Sequence, residues 1–165
     1  MTEQPAGPER GPRSLEQRLQ DTRRRLDEDV DAWVASAGAE DAGPYLVPLS
    51  FHWDGAELLF ATPTNSPTGR NLLASGRARV GIGPTRDVVM VDGSVRAVPA
   101  AEIAPETGDA FAGRTGFDPR RLEKSHHYFW MRPERIQAWR EADEIAGREL
   151  MRDGVWLDRQ AGGQE

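Results

Sequence analysis

Residues 44–62 read PYLVPLSFHWDGAELLFAT, and their reading decides the fold. From Pro44 onward the apolar residues recur with a period of two. Tyr45, Val47, Leu49, Phe51 and Trp53 share one face, and Leu46, Pro48, Ser50 and His52 share the other, as in a half-buried strand. Asp54-Gly55 reads as a hairpin turn and AELLFAT as the return strand. Pro48 has no amide hydrogen to give a ladder, so a bulge or an edge is expected there.

Upstream of that hairpin, Ser14 reads as a helix N-cap with Gln17 as its capping-box partner. Leu15, Leu19, Leu26, Val30, Trp33 and Val34 follow at helical spacing, and Gly38 suits a stop. A helix over residues 14–37 is expected. Residues 1–13 hold Pro and Gly with almost nothing apolar, which describes a disordered tail. Residues 14–157 read as one domain and 158–165 as a second disordered tail.

Downstream, Ser66-Pro67 opens a helix of about two turns that Gly76 closes. RARVGIG reads as a strand, Pro84-Thr85 as a turn, and RDVVMVDGSVRAVPA as a long strand bent at Asp92-Gly93. PETGDAFAGRTG reads as a short helix, FDPRRLEK as a polar connection, and HHYFWMRPERIQAWR as two strand pieces around Pro133. ELMRDGVWL reads as a hairpin turned at Asp153-Gly154. Six or seven strands with short helices describe a small barrel or sandwich, because the strands do not alternate with long helices as in a Rossmann sheet.

The chain has 165 residues, 38% of them hydrophobic and 29% charged, which fits one domain of ordinary size. A formal net charge of −6 argues against a broad nucleic-acid surface. Arg23, Arg24 and Arg25 stand beside Asp27, Glu28, Asp29 and Asp31, so they read as a solvated helix face. The chain has no cysteine, which excludes disulfides, zinc–thiolate sites and thiol nucleophiles. No apolar run has the length of a membrane span and no signal-peptide core stands at the N-terminus, so a cytoplasmic protein is expected.

Between the return strand and the next helix lie Thr62, Thr64, Ser66 and Thr68, followed by Arg70 and Asn71. Hydroxyls and a guanidinium beside a helix start suit an anion such as phosphate. The residues alone equally fit a turn whose Ser and Thr cap their own backbone.

The order P-x-x-V-P-L-S-F-x-W-D-G-x-x-L-x-F-x-T, then the hydroxyl turn, R-N-L, R-A-R-V and V-x-V-D-G, resembles the pyridoxamine 5'-phosphate oxidase-like family of FMN-binding split barrels. The resemblance covers roughly residues 30–140, with its core at 44–98. It implies a split β-barrel, a six-stranded Greek-key antiparallel barrel with short flanking helices and an N-terminal helix. It implies a homodimer with a flavin-type cofactor in each of two shared clefts. On that resemblance Thr64, Thr68 and Arg70 would hold the cofactor phosphate, with Asn71 close by and Thr62 and Ser66 as further ligands. Pro48, Leu49 and Ser50 would lie along the ring system. Asp87 would reach toward the partner's cofactor, and Trp130 would flank a ring or pack the interface.

Departures from the family narrow the expected chemistry. The biosynthetic oxidases carry a cation near the position of Pro48 and a C-terminal segment for pyridoxal phosphate, neither of which is found here. Oxidation of pyridoxamine phosphate is therefore not expected. The resemblance implies an oxidoreductase passing hydride between FMN and a small organic substrate. The deazaflavin coenzyme factor 420 is the alternative cofactor, its acidic tail meeting Arg77, Arg79 and Arg86, which otherwise read as solvated strand-edge charges. A non-catalytic flavin- or haem-binding protein is the other functional class. His52 is a proton-donor candidate or a surface histidine. His126 and His127 point to opposite faces of a strand and cannot chelate one metal together. Haem-degrading members of the superfamily use an axial histidine, which gives the haem reading. Glu141, Asp143 and Glu144 read as ordinary carboxylates capping a short terminal helix.

Overall fold

The computed structural model describes residues 11–38 and 43–158. Its elements are α1 (Leu15–Glu28), β1 (Asp31–Ser36), β2 (Tyr45–Trp53), β3 (Leu58–Pro63), α2 (Pro67–Ser75), β4 (Arg77–Ile82), β5 (Val88–Pro99), α3 (Pro105–Thr115), β6 (His126–Trp139), β7 (Glu149–Arg152) and β8 (Val155–Trp156). The strands lie in the order β3-β2-β1-β4-β5-β6, and β3 also pairs with β6. That last pairing closes a six-stranded antiparallel barrel, which removes the open edges a sheet would otherwise expose. β7 and β8 form a hairpin beyond β6.

The Asp54-Gly55 turn forms as expected. Asp54 Oδ1 accepts from the amides of Ala56 and Glu57 at 2.8 and 2.7 Å, and Gly55 takes a positive φ of 100°. β3 pairs with β2 only opposite Phe51, His52 and Trp53, so the half of β2 that carries Pro48 has β1 alone as its neighbour. The edge expected at Pro48 is therefore present.

One expectation is overturned at the N-terminus. The helix does not run through residues 14–37. It ends at Glu28, and β1 follows, pairing with both β2 and β4. Ala32, Val34 and Ser36 face inward and are buried, while Trp33 faces out. The Ser14 cap is as expected: its Oγ accepts from the Gln17 amide at 3.1 Å. The expected tails begin outside the described residues, at 1–10, and end outside them, at 159–165.

The interior is filled from every barrel strand by Val34, Phe51, Phe60, Val80, Val91, Phe129 and Met131, with Leu19 and Leu26 of α1 packed against them. Phe60 and Phe129 stack at 6.1 Å. Each such side chain contributes about 1.5–3 kcal/mol on burial. β3 is apolar along its length because both faces are covered: Leu58 and Phe60 enter the barrel, and Leu59 and Ala61 meet Phe111 of α3 and Tyr128 outside it. Residues 126–139 form one bent strand, not two pieces. Gly93 stands opposite Pro133 and Asp92 opposite Arg135, so Glu134 is an extra residue and the bend is a β-bulge. A Cβ on Gly93 would collide with the Arg132 carbonyl.

Candidate anion cleft at the turn before α2

The residues after β3 first build their own turn. Ser66 caps α2, accepting from the Gly69 amide at 3.0 Å and donating to the Pro63 carbonyl at 2.8 Å. Thr62, itself buried, shares a hydrogen bond with the Ser66 hydroxyl at 3.2 Å. Thr68 is 1% exposed. Gly69 allows the close approach of helix and turn, since a Cβ there would lie 2.5 Å from the Pro63 carbonyl and 2.7 Å from that of Thr64. The self-capping use of hydroxyls thus describes Ser66 and Thr62.

Thr64 and Arg70 behave differently. Arg70 is exposed at the start of α2, its Nη1 donating to the Asn65 carbonyl at 2.8 Å. Among the described residues it makes no ion pair. Thr64 Oγ1 lies 2.7 Å from His127 Nδ1 and 3.2 Å from Ser125 Oγ. A cleft of about 490 Å³ lies here, lined by Pro63, Asn65 and Ser66 on the turn and by Lys124 and Ser125 at the approach to β6. The exposed Lys124 and the residues Ser66 and Ser125 line this concavity, and Arg70 stands nearby on α2, tied to the lining residue Asn65, while the amides of Gly69 and Arg70 are already taken by Ser66.

The other expected site residues lie elsewhere on the chain. Asn71 is buried and its Nδ2 donates to Ser36 Oγ at 3.3 Å. Pro48 lines a second cleft, of about 420 Å³, with Asp29, Val30, Asp31, Ala32, Trp33, Gly81 and Gly83. Leu49 packs on the barrel core, and Ser50 donates to Asp31 Oδ1 at 2.9 Å. Trp130 packs against Leu59 and its neighbours, with the Arg96 guanidinium 5.3 Å from its ring centre. Asp87 is ringed by Arg25 at 3.1 Å, Arg140 at 3.4 Å and Arg13 at 3.8 Å. Within one chain, then, Ser66 lines the first cleft and Pro48 the second, Thr62, Thr68 and Asn71 are buried, and Asp87 is engaged in ion pairs.

One group of charges agrees with a reading of the sequence and another differs. Arg77, Arg79 and Arg86 are exposed by 58%, 54% and 80%, as solvated charges are, and each lies beside a carboxylate: Glu134, Asp92 and Glu141 at 2.6, 2.8 and 2.9 Å. Glu144 is not an ordinary exposed carboxylate. It is 2% exposed, and Arg13 binds it at 2.7 Å while its Oε2 accepts from the Arg140 amide at 2.9 Å. The Arg13 side-chain hydrogen bonds hold its pKa down at about 2, against an ordinary 4.5, with the backbone donors adding to them.

Lys124, Ser125 and His127 were missed as site residues. They reach the turn through the β3–β6 register, in which Thr62 stands opposite His127 and Pro63 opposite His126. A pairing between segments some 60 residues apart leaves no local trace, although the alternation of the two histidines was legible. His126 is buried and His127 faces Thr64, on opposite sides of the strand.

A closed six-stranded barrel, crossed between β3 and β4 by a short capped helix, defines a split barrel. The sequence profile of the pyridoxamine 5'-phosphate oxidase family matches residues 20–140, and the chain belongs to that family. Solved structures agree on the fold. An F420 reductase superposes with a TM-score of 0.56 at 20% identity, covering 68% of this chain and 93% of that one. A Clostridium acetobutylicum protein related to general stress protein 26, of the pyridoxinephosphate oxidase family, gives 0.60 at 13% identity, covering 76% and 90%. A heme binding protein from Mycobacterium smegmatis gives 0.62 at 14% identity, covering 86% and 59%. No curated protein sequence matches significantly.

Proposed function

We propose that this protein is a homodimeric oxidoreductase that binds FMN, with the phosphate in the cleft at the turn before α2, and exchanges hydride with a small organic substrate. The observation that carries this reading is the cleft itself, lined by Lys124, Ser66, Ser125 and Asn65, with Arg70 bonded to the Asn65 carbonyl and making no ion pair among the described residues. The Thr64 hydroxyl stands beside it, within 3.2 Å of Ser125 Oγ. When bound, the flavin supplies the hydride chemistry. The chain supplies binding, orientation and partial exclusion of water. Trp33 and Leu46, exposed by 52% and 59% on one face of β1 and β2, support a partner subunit over that face, close to the second cleft at Pro48.

Factor 420 is the second reading, favoured by the fold it shares with the F420 reductase. Against it, the arginines that would meet the acidic tail are each taken by a carboxylate. Titration of the purified protein into FMN, followed by flavin fluorescence with factor 420 in a parallel cell, separates the two. Saturation at one FMN per chain supports the proposal. Saturation by factor 420 alone replaces it with the second reading, and binding of neither removes both. Sedimentation with cofactor present tests the dimer, and a monomer contradicts the shared clefts.

A further inference from the structure

Ser125, on the wall of the cleft opposite the turn, is the outer end of a hydrogen-bonded chain that runs back to an imidazole. Its Oγ lies 3.2 Å from Thr64 Oγ1, which lies 2.7 Å from His127 Nδ1. The backbone fixes the three residues relative to one another. The Thr64 amide donates to the Ser125 carbonyl at 2.9 Å, and His127 stands opposite Thr62 in the β3–β6 register. The ring is half-buried, 6.1 Å from that of Phe129. Around it, β3 contributes Thr62 and Thr64 and β5 contributes Pro99, none of them charged. The flanking charged residues are Glu123 and Lys124 on the approach to β6 and Glu102 on the turn after β5. Among the described residues no carboxylate lies within ion-pair distance of the ring, and its polar partner is Thr64.

We infer that His127 couples proton uptake to anion binding in this cleft. The inference rests on the reading of the cleft as an anion site and concerns the control of that site. A hydroxyl has one proton to give, so the state of the ring sets the direction of the whole chain. With a lone pair on Nδ1, Thr64 donates to the ring and accepts from Ser125, whose proton then points inward, away from the cleft. In the imidazolium both ring nitrogens are donors, so Nδ1 donates to Thr64. Thr64 then turns its own proton toward Ser125, and the Ser125 proton is freed to face the cleft. Protonation thus makes a wall residue a donor and adds a positive charge behind it. A neutral ring with its proton on Nδ1 frees Ser125 without adding the charge, so proton uptake is the distinguishing property. Imidazole is the side chain whose charge changes between about pH 5 and 8. An anion that favours the charged ring moves its titration midpoint upward. The gain in affinity is therefore full below the midpoint of the free protein and lost as the pH rises through that of the complex.

The test follows the ring protons of the three histidines by NMR from about pH 5 to 9, with and without saturating sulfate, which stays a dianion throughout. His127→Gln identifies the His127 signal. Its midpoint in the wild type is expected to rise by about one pH unit with sulfate, a roughly tenfold linkage, while those of His52 and His126 stay in place. Ser125→Ala is expected to shrink that rise by about half or more. A His127 midpoint that sulfate leaves in place overturns the coupling, and an undiminished rise in Ser125→Ala overturns the hydroxyl chain as its route. FMN titrated at about pH 5.5 and 8.5 extends the test to the proposed cofactor. The wild type is expected to exceed His127→Gln in FMN affinity about tenfold at the lower pH and to match it at the higher. The comparison with the variant cancels the titration of the phosphate itself. An advantage of equal size at both pH values overturns the coupling. If FMN binds at neither pH while sulfate moves the midpoint, the cofactor reading falls and the proton-linked anion site stands.

Discussion

Two regions of this barrel use cations in opposite ways. Around the end of β6, Arg13, Arg25 and Arg140 meet Asp21, Asp87 and Glu144 in a network that ties the start of the chain and α1 to the barrel. At the turn before α2 and the approach to β6, Arg70 and Lys124 are exposed and make no ion pair among the described residues. In the first region every cation has an internal anion, and the contact holds the fold. In the second, the compensating anion has to come from outside. Composition alone would have treated the two as the same kind of surface.

Breaking the first region should give the largest effect on stability. Removing one partner of a buried ion pair leaves the other charge uncompensated, so Glu144→Ala should cost about 3 kcal/mol by chemical denaturation. The same pair makes stability depend on pH. A carboxylate held near 2 in the folded chain and near 4.5 in the unfolded one stabilises the fold fully above about pH 5. That contribution should fade as the pH drops from 4.5 toward 2, and a Glu144→Gln variant should show a flatter acid limb. An acid limb unchanged in that variant would assign the dependence to other carboxylates.

Changes at the second region should act on ligand affinity and leave folding alone. Arg70→Ala should weaken FMN binding by about 1.5–3 kcal/mol, the scale of a charge-assisted hydrogen bond, with an unchanged denaturation midpoint. Ser66→Ala sharpens the contrast, because the Ser66 hydroxyl is already engaged in capping α2. It should lose about 1 kcal/mol of stability. A normal denaturation midpoint in Ser66→Ala would show that the cap contributes nothing. The smallest effect belongs to a group in neither region. Among the described residues the buried Tyr128 hydroxyl has no hydrogen-bond partner, and its burial pushes its pKa up. Tyr128→Phe should leave stability unchanged or slightly raised, and a clear loss would reveal a partner for that hydroxyl.

The parts of the fold that were legible are those written in adjacent residues. The Asp54-Gly55 hairpin, the Ser66-Pro67 start and Gly76 stop of α2, and the bend at Asp92-Gly93 each depend on two or three neighbouring residues with restricted backbone preferences. β1 was not legible, because Val30, Trp33 and Val34 also satisfy a helical repeat and its inward residues Ala32 and Ser36 are small. The turn side of the cleft could be read from its hydroxyls and Arg70. The β6 side could not, because Lys124 and His127 meet Thr64 only through strand register. The burial of Glu144 was hidden for a similar reason: its partner Arg13 lies 131 residues away in a segment that reads as a polar tail.

The most direct measurement is an FMN fluorescence titration of the wild-type chain beside Arg70→Ala. The account predicts saturation at one FMN per chain for the wild type and affinity at least tenfold weaker for the variant, with both equally folded. Coincident curves for the two proteins, or no saturation with the wild type, would contradict it.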